Sequence, residues 1–124
     1  VKLRIRGNSI RLRLVQSEVA ALREGRAVEE RVALEPAALV YSIERARGPR
    51  VTARFEVEGA VARLVIEVPD AILSDFCDTD RVGFDTQDGA LKILVEKDWQ
   101  CLAPRDEDDP NDAYPHPRQK TQSA

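Results

Sequence analysis

Residues 2–14 read KLRIRGNSIRLRL, and in them aliphatic side chains alternate with cations on either side of a central Gly7-Asn8. Alternation with a period of two marks a strand with one buried face, and Gly-Asn is among the two-residue connections that close a tight hairpin. With residues 7 and 8 as the loop, Arg6 faces Ser9, Ile5 faces Ile10, Arg4 faces Arg11, Leu3 faces Leu12, Lys2 faces Arg13 and Val1 faces Leu14. Every apolar residue then meets an apolar one, whereas a slip of one residue would turn the whole set over. The other face sets cation against cation, in a chain whose net charge is −3.

Downstream, Ser17 stands where a helix N-cap belongs, and EVAALRE follows with good helix formers before Gly25. This short helix can bury Val19 and Leu22. Residues 27–34, 38–45 and 51–57 read as strands, broken by Pro36 and by RGPR at 47–50. Glu58-Gly59 can close a second hairpin, with Val57 opposite Ala60, Phe55 opposite Ala62, Ala53 opposite Leu64 and Val51 opposite Ile66, and with Arg54 and Arg63 outside. Pro69 ends it, and PDAILSDF reads as a one- or two-turn helix with Pro69 at its first position, packing Ile72, Leu73 and Phe76. Strands at 81–85 and 90–97, separated by Thr86-Gln87-Asp88-Gly89, complete the core.

Seven or eight short strands with one or two short helices predict an α+β, mostly β fold, an antiparallel sheet curled into a sandwich or partial barrel. A doubly wound nucleotide fold lacks its alternating long helices here, and neither GxGxxG nor a Walker loop occurs. With 124 residues the chain suits one domain, expected over residues 1–103, followed by an acidic, Pro-rich tail at 104–124 in extended or partly disordered form. Aromatics are only 5% of the chain, so the core must be aliphatic and each of Tyr41, Phe55, Phe76, Phe84 and Trp99 counts individually. No apolar run is long enough to cross a bilayer and no basic-then-apolar leader precedes the first strand, which reads as a cytoplasmic protein without a membrane partner. Cys77 and Cys101 share no CxxC spacing and fit reduced, structural thiols, with a single bridge between them as the lesser alternative.

The opening KLRIRGNSIRLRL, the VGFD at 82–85, and ILVEKDWQCL with PRDEDDPNDAYPHP behind it resemble a family of small bacterial proteins known only as a domain of unknown function. The likeness covers nearly the whole chain. It implies no activity, substrate or catalytic residue, so function must be sought in the chemistry of the side chains.

Charge is unevenly distributed. Residues 1–13 hold five cations and no acid, whereas residues 67–88 hold seven acids, Glu67, Asp70, Asp75, Asp78, Asp80, Asp85 and Asp88, against Arg81. Like charges opposite each other on a sheet cost up to about 1 kcal/mol per pair. Arg4 with Arg11 and Lys2 with Arg13 therefore call for a counter-charge, and Lys2, Arg4, Arg6, Arg11 and Arg13 form a candidate anion-binding face. The counter-charge could come from the chain's own acids, from a partner protein, or from a phosphate-bearing ligand, whose oxygens a row of guanidinium groups suits. Nucleic acid is disfavoured, because the chain is acidic overall and the hairpin lacks interleaved aromatics on which bases could stack.

A possible second site gathers Glu96, Asp98, Cys101 and His116. A thiol and an imidazole can act as nucleophile and base, or join carboxylates around a metal. Spacing supports neither, since no second Cys or His completes a zinc set and DEDDPND lacks the Gly and the terminal Glu of a calcium loop. No metal and no cofactor are therefore expected. Successive strand residues face opposite sides, so Glu96 and Asp98 should share a face, with Lys97 pointing away, and are plausible partners for the basic hairpin. The resulting expectation is a small binding or accessory domain that acts through a charge-polarised surface on a protein partner or a second copy of itself. The alternative is a phosphate-ligand binder or phosphohydrolase using the arginine face.

Overall fold

A computed structural model describes residues 1–98. Eight strands and two helices follow in the order β1 (Lys2–Arg6), β2 (Ser9–Leu14), α1 (Gln16–Arg23), β3 (Val28–Val32), β4 (Ala38–Ala46), β5 (Thr52–Glu58), β6 (Val61–Pro69), α2 (Asp70–Asp78), β7 (Gly83–Asp88) and β8 (Leu91–Lys97). They form two four-stranded sheets, sheet A in the order β1-β2-β8-β7 and sheet B in the order β3-β4-β6-β5. The fold is α+β and mostly β, as expected. Neither sheet closes on itself, so of the two expected forms it is the sandwich-like one that occurs.

Antiparallel pairing holds within each hairpin and between β3 and β4, but each sheet is stitched at its centre by a parallel pair, β2 with β8 and β4 with β6. A hairpin–helix–hairpin unit thus occurs twice, as β1-β2-α1-β3-β4 and as β5-β6-α2-β7-β8. Exchanging the two units turns the order β1-β2-β8-β7 into β5-β6-β4-β3, which is sheet B read backwards. Each sheet therefore takes one hairpin from each half of the chain, and the two helices pack against each other and against strands of sheet B.

Sheet A buries the even-numbered aliphatics of β2, with Ile10, Leu12 and Leu14 at most 5% exposed, together with Phe84, Ile93 and Val95. Sheet B adds Val28, Ile43, Ile66 and Val68, and the helices add Val19, Leu22, Leu73, Phe76 and Cys77 at helical spacing. The rings of Phe76 and Phe84 meet edge to face at 5.4 Å. Because β1 is an edge strand, Leu3 is only half-buried and Ile5 is 61% exposed, although both point to the core side. Phe55, expected to pack inward, lies beyond the core's edge and is 62% exposed, as is its neighbour Val57 at 66%.

The first hairpin has the expected register at every pair of β1 and β2. The second turns one residue later than expected. Gly59-Ala60 is its loop, and Phe55 pairs with Leu64 and Val57 with Ala62. Gly59 has φ +58, a left-handed backbone that suits glycine at the first position of a two-residue turn. The third hairpin likewise turns at Gly89-Ala90, not at 86–89, so Thr86, Gln87 and Asp88 belong to β7. The N-cap of α1 is Val15 and not Ser17, because the Glu18 carboxylate reaches back to accept the Val15 N–H at 2.9 Å. Pro69 closes β6 and precedes α2 as its cap residue, one position earlier than expected.

Candidate anion-binding face

The outer face of sheet A is assembled in three rows, read across the sheet as β1, β2, β8, β7. They are Lys2, Arg13, Glu96 and Gly83; Arg4, Arg11, Leu94 and Asp85; and Arg6, Ser9, Lys92 and Gln87. All five cations of the opening stretch are on this side. Lys92 joins them through the parallel pairing of β8 with β2, which local sequence does not reveal, although its alternation with Leu94 and Glu96 is visible once β8 is known to lie there. The corresponding face of sheet B carries Arg31, Arg54 and Arg63 among Glu29, Glu44, Glu56, Glu58 and Glu67. Arg63 pairs there with Glu29 at 2.7 Å and Arg54 with Glu56 at 2.6 Å. The two outer faces are thus opposite in balance, one basic and one acidic.

Carboxylates of β8 and of Asp98 just after it meet the basic hairpin. Arg13 Nε donates to Glu96 Oε1 at 2.6 Å, and Arg11 Nε lies 3.6 Å from the same oxygen. Lys2 Nζ donates to Asp98 Oδ2 at 3.0 Å, across the end of the same face. Arg13, Arg11 and Glu96 are one-tenth to one-fifth exposed, so these contacts are better shielded than ordinary surface pairs. Gly83 completes the row for a steric reason. A Cβ there would stand 2.5 Å from the Val95 carbonyl oxygen and 2.9 Å from Glu96 Cβ, so glycine is what lets β7 lie beside Glu96. At the far end, Asn8 Nδ2 donates to the Ala90 carbonyl at 2.7 Å and ties the two hairpin turns together.

The cations enclose a shallow hollow of about 180 Å³ lined by Lys2, Arg4, Arg11 and Arg13, beside one of about 120 Å³ between Arg4, Arg6, Ser9, Arg11 and Leu94. No aromatic side chain lies on this face among the described residues.

Residues 1–118 match the DUF7009 family. The chain belongs to that family, which is one of unknown function. No curated protein and no solved structure matches it. Family membership thus assigns no residue a role, and the chemistry of this family member must be taken from its own side chains.

The possible second site is only half described. Glu96 and Asp98 share the basic face, and Lys97 points to the other side, where its Nζ donates to the Thr79 carbonyl at 2.8 Å and lies 5.2 Å from the centre of the Phe76 ring. Cys101, His116, Trp99 and the tail from residue 104 lie outside the described residues. Among the described residues, no three His, Cys, Asp or Glu side chains are grouped to hold a metal ion, and no helix is long and apolar enough to cross a membrane. Cys77 is a free thiol, and burial pushes its pKa up, keeping it in the unreactive protonated form. It borders a larger cleft of about 1000 Å³ at the end of α2, in which Arg23 pairs with Asp78 at 2.9 Å.

Proposed function

We propose that this domain is a binding module whose outer face of sheet A takes an acidic stretch of a protein partner. The row Lys2, Arg13 and Glu96, with Asp98 behind it, carries the reading, because the ligand chemistry this face already displays is ammonium and guanidinium with carboxylate. Cations from two paired strands stand at the spacing of a sheet, so an extended acidic peptide presents carboxylates at matching intervals on one side. The absence of stacking aromatics among the described residues of the face weighs against single-stranded nucleic acid.

A second reading, a phosphate-bearing small ligand, is favoured by the hollow between Lys2, Arg4, Arg11 and Arg13. Titration of the full chain with labelled hexaglutamate, inorganic triphosphate and a single-stranded oligonucleotide, at 50 and 300 mM salt, separates these readings. Salt-sensitive binding of hexaglutamate that is lost in Arg4→Gln/Arg11→Gln is the expected result. Preferential, saturable uptake of triphosphate would transfer the assignment to the small-ligand reading, and preference for the oligonucleotide would overturn both.

A further inference from the structure

We infer that β5, an edge of sheet B, pairs antiparallel with β5 of a second copy of this chain across a two-fold axis at Phe55; the contact is separate from the basic face of sheet A. Among the described strands, β5 has β6 hydrogen-bonded on one side and no strand hydrogen-bonded on the other. The Ala53 N–H points away from β6, donating to Asp88 Oδ2 at 3.0 Å. Alternate residues of a strand direct their N–H and C=O the same way, so Phe55 and Val57 direct theirs to the edge. The side chains of both are well exposed, on the side of the sheet that elsewhere forms the core. An edge with two large apolar side chains, and with neither lysine nor proline to blunt it, is a template for another strand.

The sequence of β5 is its own complement. A two-fold axis perpendicular to the sheet keeps each face on its own side, so pairing about Phe55 sets Phe55 against the partner's Phe55, Ala53 against the partner's Val57 and Arg54 against the partner's Glu56. The Phe55 pair exchanges both backbone bonds, and Arg54 and Glu56 fall at the next position, where facing side chains approach most closely. Within one copy Arg54 Nη1 already donates to Glu56 Oε1 at 2.6 Å on the outer face, so both groups stand beside the edge with the right chemistry. The other edges lack this match. Lys2, Arg4 and Arg6 of β1 would meet only cations, Glu30 at the centre of β3 would meet itself, and the charged residues of β7 are all acids. The axis also fixes what the dimer displays. Sheet A packs on the inner face of sheet B, so the two basic faces lie on one side of the dimer.

Sedimentation equilibrium of the full chain at 50 mM salt should show a mass that rises with concentration to that of two chains and no further. A contact smaller than a standard interface should dissociate on the order of 10–100 μM. Arg54→Glu and Glu56→Arg each set like charges across the axis and should weaken the dimer at least about tenfold. Mixed one to one, they should recover the parent's affinity as a heterodimer, because the acidic pair of one variant meets the basic pair of the other. The contact between residues 54 and 56 within a strand is lost in both variants and in their mixture, so recovery reports the contact between copies. Should either variant fail to fold, hydrogen exchange in the parent decides, and the Phe55 amide should exchange about threefold more slowly at 500 μM than at 5 μM protein. A monomer at 500 μM, or exchange at Phe55 that ignores concentration, would overturn the inference. So would single variants that dimerise like the parent, or a mixture that associates no better than its components. A mass that climbs past two chains would mean head-to-tail pairing of unlike edges and would overturn the two-fold contact.

Discussion

Glu96→Gln keeps the volume of the side chain and removes the charge that holds Arg13 at 2.6 Å and stands 3.6 Å from Arg11. With Arg13 11% and Glu96 21% exposed, the contact lies between an exposed pair, about 0–1 kcal/mol, and a shielded hydrogen bond between charged groups, about 1.5–3 kcal/mol. A loss of about 1–2 kcal/mol is expected, which in a domain of this size lowers the melting midpoint by about 5–10 °C. The loss should depend on salt in a particular direction. Screening weakens the attraction of Glu96 for Arg13 and Arg11 in the wild type, a contribution that the variant no longer has to lose. Raising NaCl from 50 mM to 1 M, where the screening length falls to about 3 Å, should therefore at least halve the gap. Glu67→Gln on sheet B serves as control, because its 3.4 Å contact with the well-exposed Arg54 is worth little. Calorimetric midpoints that coincide at low salt, or a gap that high salt leaves unchanged, would refute the role assigned to Glu96.

Leu12→Ala, at a side chain 1% exposed, should cost about 2–5 kcal/mol in urea unfolding, whereas Ile5→Ala on the same face, 61% exposed, should cost far less; equal losses would contradict the edge position of β1. Gly83→Ala should destabilise by about 1–3 kcal/mol, because the new methyl meets backbone rather than a side chain that could turn aside, and an unchanged denaturation midpoint would count against the packing of β7 on β8. The pKa of Cys77 is raised by burial, so folding favours its thiol form. That contribution is fully present below the thiol's unfolded pKa and fades only as pH rises through the higher folded value. Peptide mapping after iodoacetamide at pH 8 should accordingly find Cys77 unmodified in the native protein and modified in urea; rapid native labelling would show the site to be open.

The first hairpin was legible because its alternation is strict on both strands and Gly7-Asn8 marks the two-residue turn that sets the register. In the second, turns at Glu58-Gly59 and at Gly59-Ala60 put the same residues on the same faces, and the hydrophobic pattern cannot tell them apart. In the structure Gly59, with its left-handed backbone, stands first in the turn and not second. The parallel junctions were invisible for a different reason, since pairing between strands far apart in the chain leaves no local mark on either. The repeated hairpin–helix–hairpin unit is hidden because equivalent positions carry different chemistry, Arg4 against Glu56 and Asp85 against Arg31. Of the candidate site, the cations and the pairing of Glu96 and Asp98 with them could be anticipated from alternation and charge balance. Lys92 could not, because its place depends on which strand lies beside β2.

The two parallel junctions have unequal loop lengths, and this sets an order of events during synthesis and folding. Ala38 meets Val61 after an interval of 23 positions, whereas Ser9 meets Lys92 after 83. Closing the longer loop costs more entropy, and contacts so remote in sequence slow folding. Sheet B can form while β8 is still being made, but β1 and β2 must wait for it. Throughout that interval the opening hairpin would hold Arg4 against Arg11 and Lys2 against Arg13 without Glu96 or Asp98 beside them. The opening hairpin is thus at its most attractive to passing polyanions before β8 arrives, and the pairing of β8 with β2 tempers that attraction by bringing Glu96 to Arg13.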